Sequence, residues 1–180
     1  MDLIDALDET FTNARSVIAG VHRGQYADKT PCTEWTVEDL LNHLIGVVGR
    51  IGAAAGGVAP TRFELGSDPA AQFEELASVA LAAWRQPGVF DRTMDVGAGP
   101  MPGRVLASIN LLDTATHTWD LATATGQAQE LPPAVAEAAL SASRTIVSDA
   151  LRPGRFGPEQ PAPAGASATQ QLASFLGRTC

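Results

Sequence analysis

Cysteine, lysine, histidine and tyrosine are all scarce in this chain of 180 residues, which holds two cysteines, three histidines and one tyrosine. Cys32 and Cys180 cannot build a disulfide framework, and neither belongs to a CxxC pair. Basic residues are outnumbered, twelve against twenty acids, for a formal net charge of −8 and a pI near 4.7. A chain this acidic repels phosphate backbones and anionic lipid surfaces, so neither nucleic acid nor a membrane is an expected partner. Long hydrophobic runs are missing too. The stretch from Ile45 to Pro60 is broken by Arg50 and diluted with Gly and Ala, so it does not read as a membrane span. The opening Met1-Asp2-Leu3-Ile4-Asp5 carries acids where a signal peptide needs a basic region, and a cytoplasmic location is the expectation. No Gly-rich phosphate loop, GxSxG elbow or HExxH motif occurs.

What is present is a globular composition, with 45% hydrophobic and 18% charged residues. The length suits one domain over residues 1–180, with no internal repeat and no dividing linker. Leu3, Ile4, Leu7, Phe11, Ala14, Ile18 and Val21 recur at steps of three and four, the mark of an amphipathic helix. Thr36-Val37-Glu38-Asp39 resembles a capping box and opens a second helix, with Leu40, Leu41, Leu44, Ile45, Val48 and Ile51 as its apolar stripe. Asp68-Pro69 starts a third helix that turns Phe73, Leu76, Val79, Ala80 and Trp84 inward and stops at Pro87-Gly88. Val89 to Val96 reads as a short strand. A fourth helix runs from Pro102-Gly103 to Gly126, a fifth from Ala134 to Leu151, and a short last one from Thr169 to Leu176. The expected class is therefore all-α, with a helical bundle at its centre.

The fourth helix carries a polar column. At about 100° per residue, His117 lies roughly 40° from Asp113, and Asp120 roughly 20° to the other side. Leu106 and Ile109 share that stripe, so a carboxylate, an imidazole and a second carboxylate stand where the helix should be buried. Unpaired buried charge is expensive, so these groups need partners, and a metal ion would serve. His43, at the edge of the stripe formed by Leu40, Val47 and Ile51, faces inward or half inward from the second helix. Two histidines and a carboxylate form a common three-ligand set that leaves a position open. The blander readings stand beside this one. His43 alone reads first as a hydrogen-bonded core residue, and spacing alone favours an ordinary i,i+4 pair for Asp113 and His117. His22 sits at a helix end and is assigned no function, and Cys32 has no basic neighbour in sequence, so it reads as a structural thiol. No catalytic residue is assigned. Arg50 and Arg104 are read as exposed arginines rather than as substrate anchors.

Two blocks carry a resemblance. Thr30-Pro31-Cys32-Thr33-Glu34-Trp35-Thr36-Val37, followed by Leu40, Leu41 and Asn42-His43-Leu44, resembles the signature of the DinB-like superfamily. Asp113 and then His117-Thr118-Trp119-Asp120-Leu121-Ala122-Thr123-Ala124-Thr125-Gly126-Gln127 is similar to the metal-binding domain of mycothiol-dependent maleylpyruvate isomerase. Phe156-Gly157-Pro158 and Leu172 through Phe175-Leu176-Gly177-Arg178 resemble the tail of a small stand-alone subgroup, so the resemblance covers most of the chain. It implies a four-helix up-and-down bundle with minor short strands and an extra C-terminal helix. It also implies one divalent metal, Zn²⁺ first and Ni²⁺ second, held by His43, Asp113 and His117. The isomerase has Glu where this chain has Asp113, so the shorter carboxylate ligates directly or through water. Asp120 is then a supporting or structural residue. The isomerase carries a further C-terminal domain that this chain lacks, so its isomerase activity is not expected here. The reading is a metal-binding protein, with a mycothiol-dependent transferase acting on a small electrophile as the enzyme alternative. A non-catalytic binding or regulatory module and a metal-dependent hydrolase are the other two. A homodimer is expected.

Overall fold

Helix starts and stops follow the capping chemistry written in the sequence. The computed structural model describes residues 1–32 and 34–180, and Thr33 of the 30–37 block lies outside the described residues. Asp2 caps α1 (Leu3–Ala19) by accepting from the Ile4 and Asp5 amides, both at 2.9 Å. Thr36 and Asp39 form the reciprocal capping box of α2 (Val37–Gly56): the Thr36 hydroxyl accepts from the Asp39 amide, and the Asp39 carboxylate accepts from the Thr36 amide. Asp68, with Pro69 behind it, opens α3 (Pro69–Trp84). α4 (Gly103–Thr125) is the longest helix and stops at Gly126. α5 (Pro133–Ile146) follows, and a second capping box, Ser167 with Gln170, opens α6 (Ala168–Phe175).

The first four helices form a closed ring in which α1 lies against α3 and α4, and α2 lies against the same two. The long connection from α1 to α2 therefore crosses one end of the bundle, and it carries Cys32 and Trp35. At the α2–α3 seam the backbones approach closely. A Cβ placed on Gly52 would stand 2.7 Å from the Ala80 Cβ and 2.9 Å from its Cα, so only glycine fits there. Phe73, Trp84, Leu41, Leu44, Leu106 and Leu111 fill the core between the layers. Phe11 meets the Phe73 ring edge-on at 6.0 Å.

α4 is buried on nearly every side, because α5 covers it from outside the ring and α6 packs on α5 and α4. Two of its threonines meet that burial with bonds inside the helix. Thr116 and Thr118 donate their hydroxyls to the Leu112 and Thr114 carbonyls at 2.6 and 2.7 Å, so these polar groups enter the core already satisfied.

The structure departs from the sequence reading at four places. The expected strand from Val89 to Val96 is one 3₁₀ turn, Val89–Asp91, followed by β1 (Thr93–Met94), which pairs antiparallel with β2 (Met101–Pro102). Val79 is 57% exposed, because the buried face of α3 is set by Phe73, Ala77, Ala80 and Trp84, and Val79 lies about 100° away from Ala80. The fifth helix ends at Ile146, where the β-branched run Thr145-Ile146-Val147 gives way to extended backbone, and a 3₁₀ turn covers Asp149–Leu151. His22 caps a 3₁₀ turn, Arg23–Gln25, instead of ending α1. None of the described helices is long and apolar enough to cross a membrane.

Candidate metal centre

α2 and α4 bring together the three residues that the resemblance implies as a ligand set. His43 Nε2 lies 3.2 Å from Asp113 Oδ1, and His117 Nε2 lies 3.7 Å from the same oxygen. One ligand atom from each residue falls within 4.8 Å of the others. The second carboxylate oxygen, Asp113 Oδ2, is buried and has no hydrogen-bond partner among the described residues. Burying such an atom without a partner is costly, and a cation is the partner its charge asks for. The site reaches solvent on the His43 side, whose side chain is 28% exposed, against 12% for His117.

Trp35 walls the site. Its ring centroid is 4.5 Å from the His43 imidazole and 5.6 Å from that of His117, and the two imidazoles stand nearly perpendicular, 4.8 Å apart. The loop that holds Trp35 is pinned by Thr30, whose amide and hydroxyl both donate to the Trp35 carbonyl. The Trp35 amide in turn donates to the Cys32 carbonyl, so one tight turn presents the indole and the thiol together.

The other nitrogen of His117 looks away from the triad. Nδ1 lies 2.9 Å from Asp120 Oδ2, and Asp120 is fully buried. Arg178 closes on that carboxylate as a fork, donating Nε to Oδ1 at 3.1 Å and Nη2 to Oδ2 at 2.7 Å. The Cys32 thiol donates to the same Oδ2 at 3.2 Å, and Arg178 Nη2 reaches Cys32 Sγ at 3.4 Å.

Among the described residues two groups therefore have metal-ligand composition, His43–Asp113–His117 and Cys32–His117–Asp120. Charge separates them. Asp120 already accepts two bonds from a buried guanidinium, and a cation placed beside Cys32 would be repelled by it. The first group has no such occupant. Its donor set, two imidazoles and a carboxylate, fits Zn²⁺ or Ni²⁺.

The local charges reinforce one another. Burial works to neutralise Asp113, but the His117 and His43 side chains outweigh it and hold the carboxyl below its ordinary range, with exposed Arg50 adding to the effect. Burial likewise opposes a charge on His117, yet Asp113 and Asp120 on its two sides push it up to about 10. Burial would raise Asp120, but the bonds from His117 and Arg178 keep it well below the usual carboxylate value. Arg178 is held in its charged form by Asp120 against the pull of burial. With His117 protonated, Asp113, His117, Asp120 and Arg178 balance in charge.

Residues 7–122 match the family model for the mycothiol maleylpyruvate isomerase N-terminal domain, a span that holds His43, Asp113, His117 and Asp120. The chain belongs to this family. It is 37% identical over 167 residues to uncharacterized protein Rv0738 of Mycobacterium tuberculosis (strain ATCC 25618 / H37Rv), covering 91% of each chain. The figures are the same for uncharacterized protein MT0763 of Mycobacterium tuberculosis (strain CDC 1551 / Oshkosh). In fold, it matches the crystal structure of a DinB-like protein from Bacillus subtilis with a TM-score of 0.58 and 16% identity, covering 72% of this chain and 94% of that one. The all-α, DinB-like bundle expected from the sequence is thus borne out.

Three residues of the cluster escaped the sequence reading. Arg178 follows a short terminal helix and lies 58 residues from Asp120, so no helical period connects them. Cys32 seemed to have no basic neighbour, and the fold supplies two neighbours from a distance, Arg178 and His117. Trp35 sat within the first block, yet nothing in its spacing marked it as a wall of the site. Arg104 stacks over Phe90 at 4.9 Å and stays exposed, as read.

Proposed function

We propose that this family member binds one divalent metal through His43, Asp113 and His117, Zn²⁺ first and Ni²⁺ second, and serves a low-molecular-weight thiol such as mycothiol in transfer to a small electrophile. The observation that carries the reading is the convergence of three ligand atoms from two helices on a site where a buried carboxylate oxygen has no hydrogen-bond partner among the described residues. A divalent ion held by His43, Asp113 and His117 would supply Lewis acidity that favours the thiolate form of a thiol. The chain's own residues do the rest. His43 and His117 present Nε2, Asp113 presents its carboxylate, and Asp120 holds the His117 ring by accepting from Nδ1. Trp35 covers one side of the imidazoles and leaves an apolar wall against which an electrophile can lie. The family match supports the metal and the thiol as classes.

A second reading, a non-catalytic binding or regulatory module, is favoured by one feature. Asp120 is committed to Arg178 and His117, and Asp113 to the ligand set, so neither is free to move a substrate proton. The same feature weighs against a hydrolase that would use either as its base. Elemental analysis of untagged protein, repeated on His43→Ala and His117→Ala, tests the metal: one equivalent in the parent and loss in both variants is expected. Turnover of an electrophile panel with mycothiol, other thiols or water alone then separates the classes. Turnover needing both metal and thiol supports the transferase. Metal-loaded protein that binds no thiol by calorimetry and turns over nothing returns the chain to the binding module. The homodimer is likewise a proposal, decided by light scattering across concentrations.

A further inference from the structure

We infer that Arg178 is a positioning residue for the metal centre: its guanidinium fixes the Asp120 carboxylate, which fixes the ring of His117. This rests on the metal reading above. The tail is built to deliver that guanidinium. α6 ends in a turn in which the Gly177 amide donates to Ser174 and the Arg178 amide donates to Ala173, at 3.0 and 2.9 Å. Gly177 has φ +89° and crosses Gly157 so closely that a Cβ would stand 2.6 Å from the Gly157 Cα, which makes both the turn and the crossing glycine-dependent. Arg152 staples the same crossing, donating Nη1 to the Gly157 and Phe175 carbonyls at 2.9 Å and stacking on the Phe175 ring at 4.9 Å.

The chain then turns Arg178 into the core, where it is 9% exposed. Its Nη1 is spent on the Leu176 carbonyl at 2.8 Å, which leaves Nε and Nη2 as a rigid fork. Because each prong takes a different oxygen of Asp120, the fork sets the plane of the carboxylate as well as its charge. Oδ2, the oxygen nearer Arg178, is also the one facing His117 Nδ1. The direction of Nδ1 determines that of Nε2, the atom offered beside Asp113 and His43. A lysine would supply charge at this position but no fork.

The test uses the full chain and Co²⁺ alone as probe, reading affinity by chelator competition and ligand geometry by the visible absorption band. Arg178→Met should weaken Co²⁺ by roughly 10–100-fold and alter the band, with Arg178→Lys intermediate. Arg155→Met removes an exposed guanidinium from the same C-terminal segment without touching Asp120 or the Gly157 crossing, and should leave affinity and band as in the parent. In an Asp120→Asn background, Arg178→Met should add little further loss. A parent-like affinity and band in Arg178→Met overturns the inference, and so does an equal loss in Arg155→Met. If Arg178→Met fails to fold, Arg178→Lys decides: a parent-like result from it overturns the inference, and a reduced affinity with an altered band upholds it. A parent chain that takes up no Co²⁺ overturns the metal reading itself, a distinguishable failure.

Discussion

The protonation of His117 in metal-free protein is the most exacting prediction, because the geometry pushes it far from ordinary behaviour. The ring is buried between Asp113 and Asp120, and its pKa rises from 6.5 to about 10. A group whose folded pKa is raised stabilises the fold fully below its unfolded value, and that stability is lost as pH climbs through the folded one. Here the window runs from about pH 6.5 to about pH 10. At about 1.4 kcal/mol per pH unit the ceiling is about 5 kcal/mol, and a loss of a few kcal/mol is the expected size. Side-chain ¹⁵N spectra of the metal-free protein should show His117 doubly protonated at pH 8.5, where an ordinary histidine would be about 1% protonated. Urea unfolding should show stability falling from pH 7 to pH 10. Ni²⁺ affinity should rise about tenfold per pH unit between pH 7 and pH 9, because the metal must displace that proton. A His117 midpoint near 6.5, with flat alkaline stability, would refute the electrostatic account of the cluster.

Three further outcomes follow from packing. Phe73→Ala removes a fully buried ring that meets Phe11 edge-on, and should cost about 3–5 kcal/mol in urea unfolding. Gly52→Ala places a Cβ within 2.9 Å of α3 backbone, so it should destabilise by about 1–3 kcal/mol despite the helix propensity of alanine, visible as a lower Tm. Trp35 lies against both imidazoles, so Ni²⁺ should change the protein's tryptophan fluorescence, and Trp35→Phe should abolish most of that change, since Trp84 and Trp119 are buried elsewhere in the core.

Much of this was legible in the sequence, for identifiable reasons. α2 could be placed because Thr36 and Asp39 spell its cap, and α4 because Gly126 ends it and its polar residues fall on one stripe. Helical period could put His43, Asp113 and His117 on inward or half-inward faces, and the resemblance joined them as a ligand set. The ribbon at β1 and β2 was blurred because two-residue strands leave no alternation to read. Val79 was misread because an apolar residue near the edge of a stripe satisfies the pattern without being needed by the core. Arg178, Cys32 and Trp35 were out of reach for a different reason. They sit on loops and a tail, where no period operates and only the closed fold reveals what they touch.

That difference bears on how α4 tolerates its polar column. Buried on nearly every side, α4 pairs its two acids both with its own His117 and with partners from other elements. Asp113 meets His43 from α2, while Asp120 meets Arg178 from the tail and the Cys32 thiol from the α1–α2 connection. His117 stands between the two acids, with one nitrogen turned to each. The α2 side has a solvent-reaching opening and a carboxylate oxygen with no partner among the described residues, which suits exchange with a ligand. The tail side is sealed and charge-paired, which suits holding the ring still. The family match spans residues 7–122 and so includes every residue of the candidate ligand set, whereas the guanidinium that steadies it comes from beyond α6. α5 and α6 are thus more than a cover for α4: by carrying the chain to Arg178 they complete the surroundings of His117.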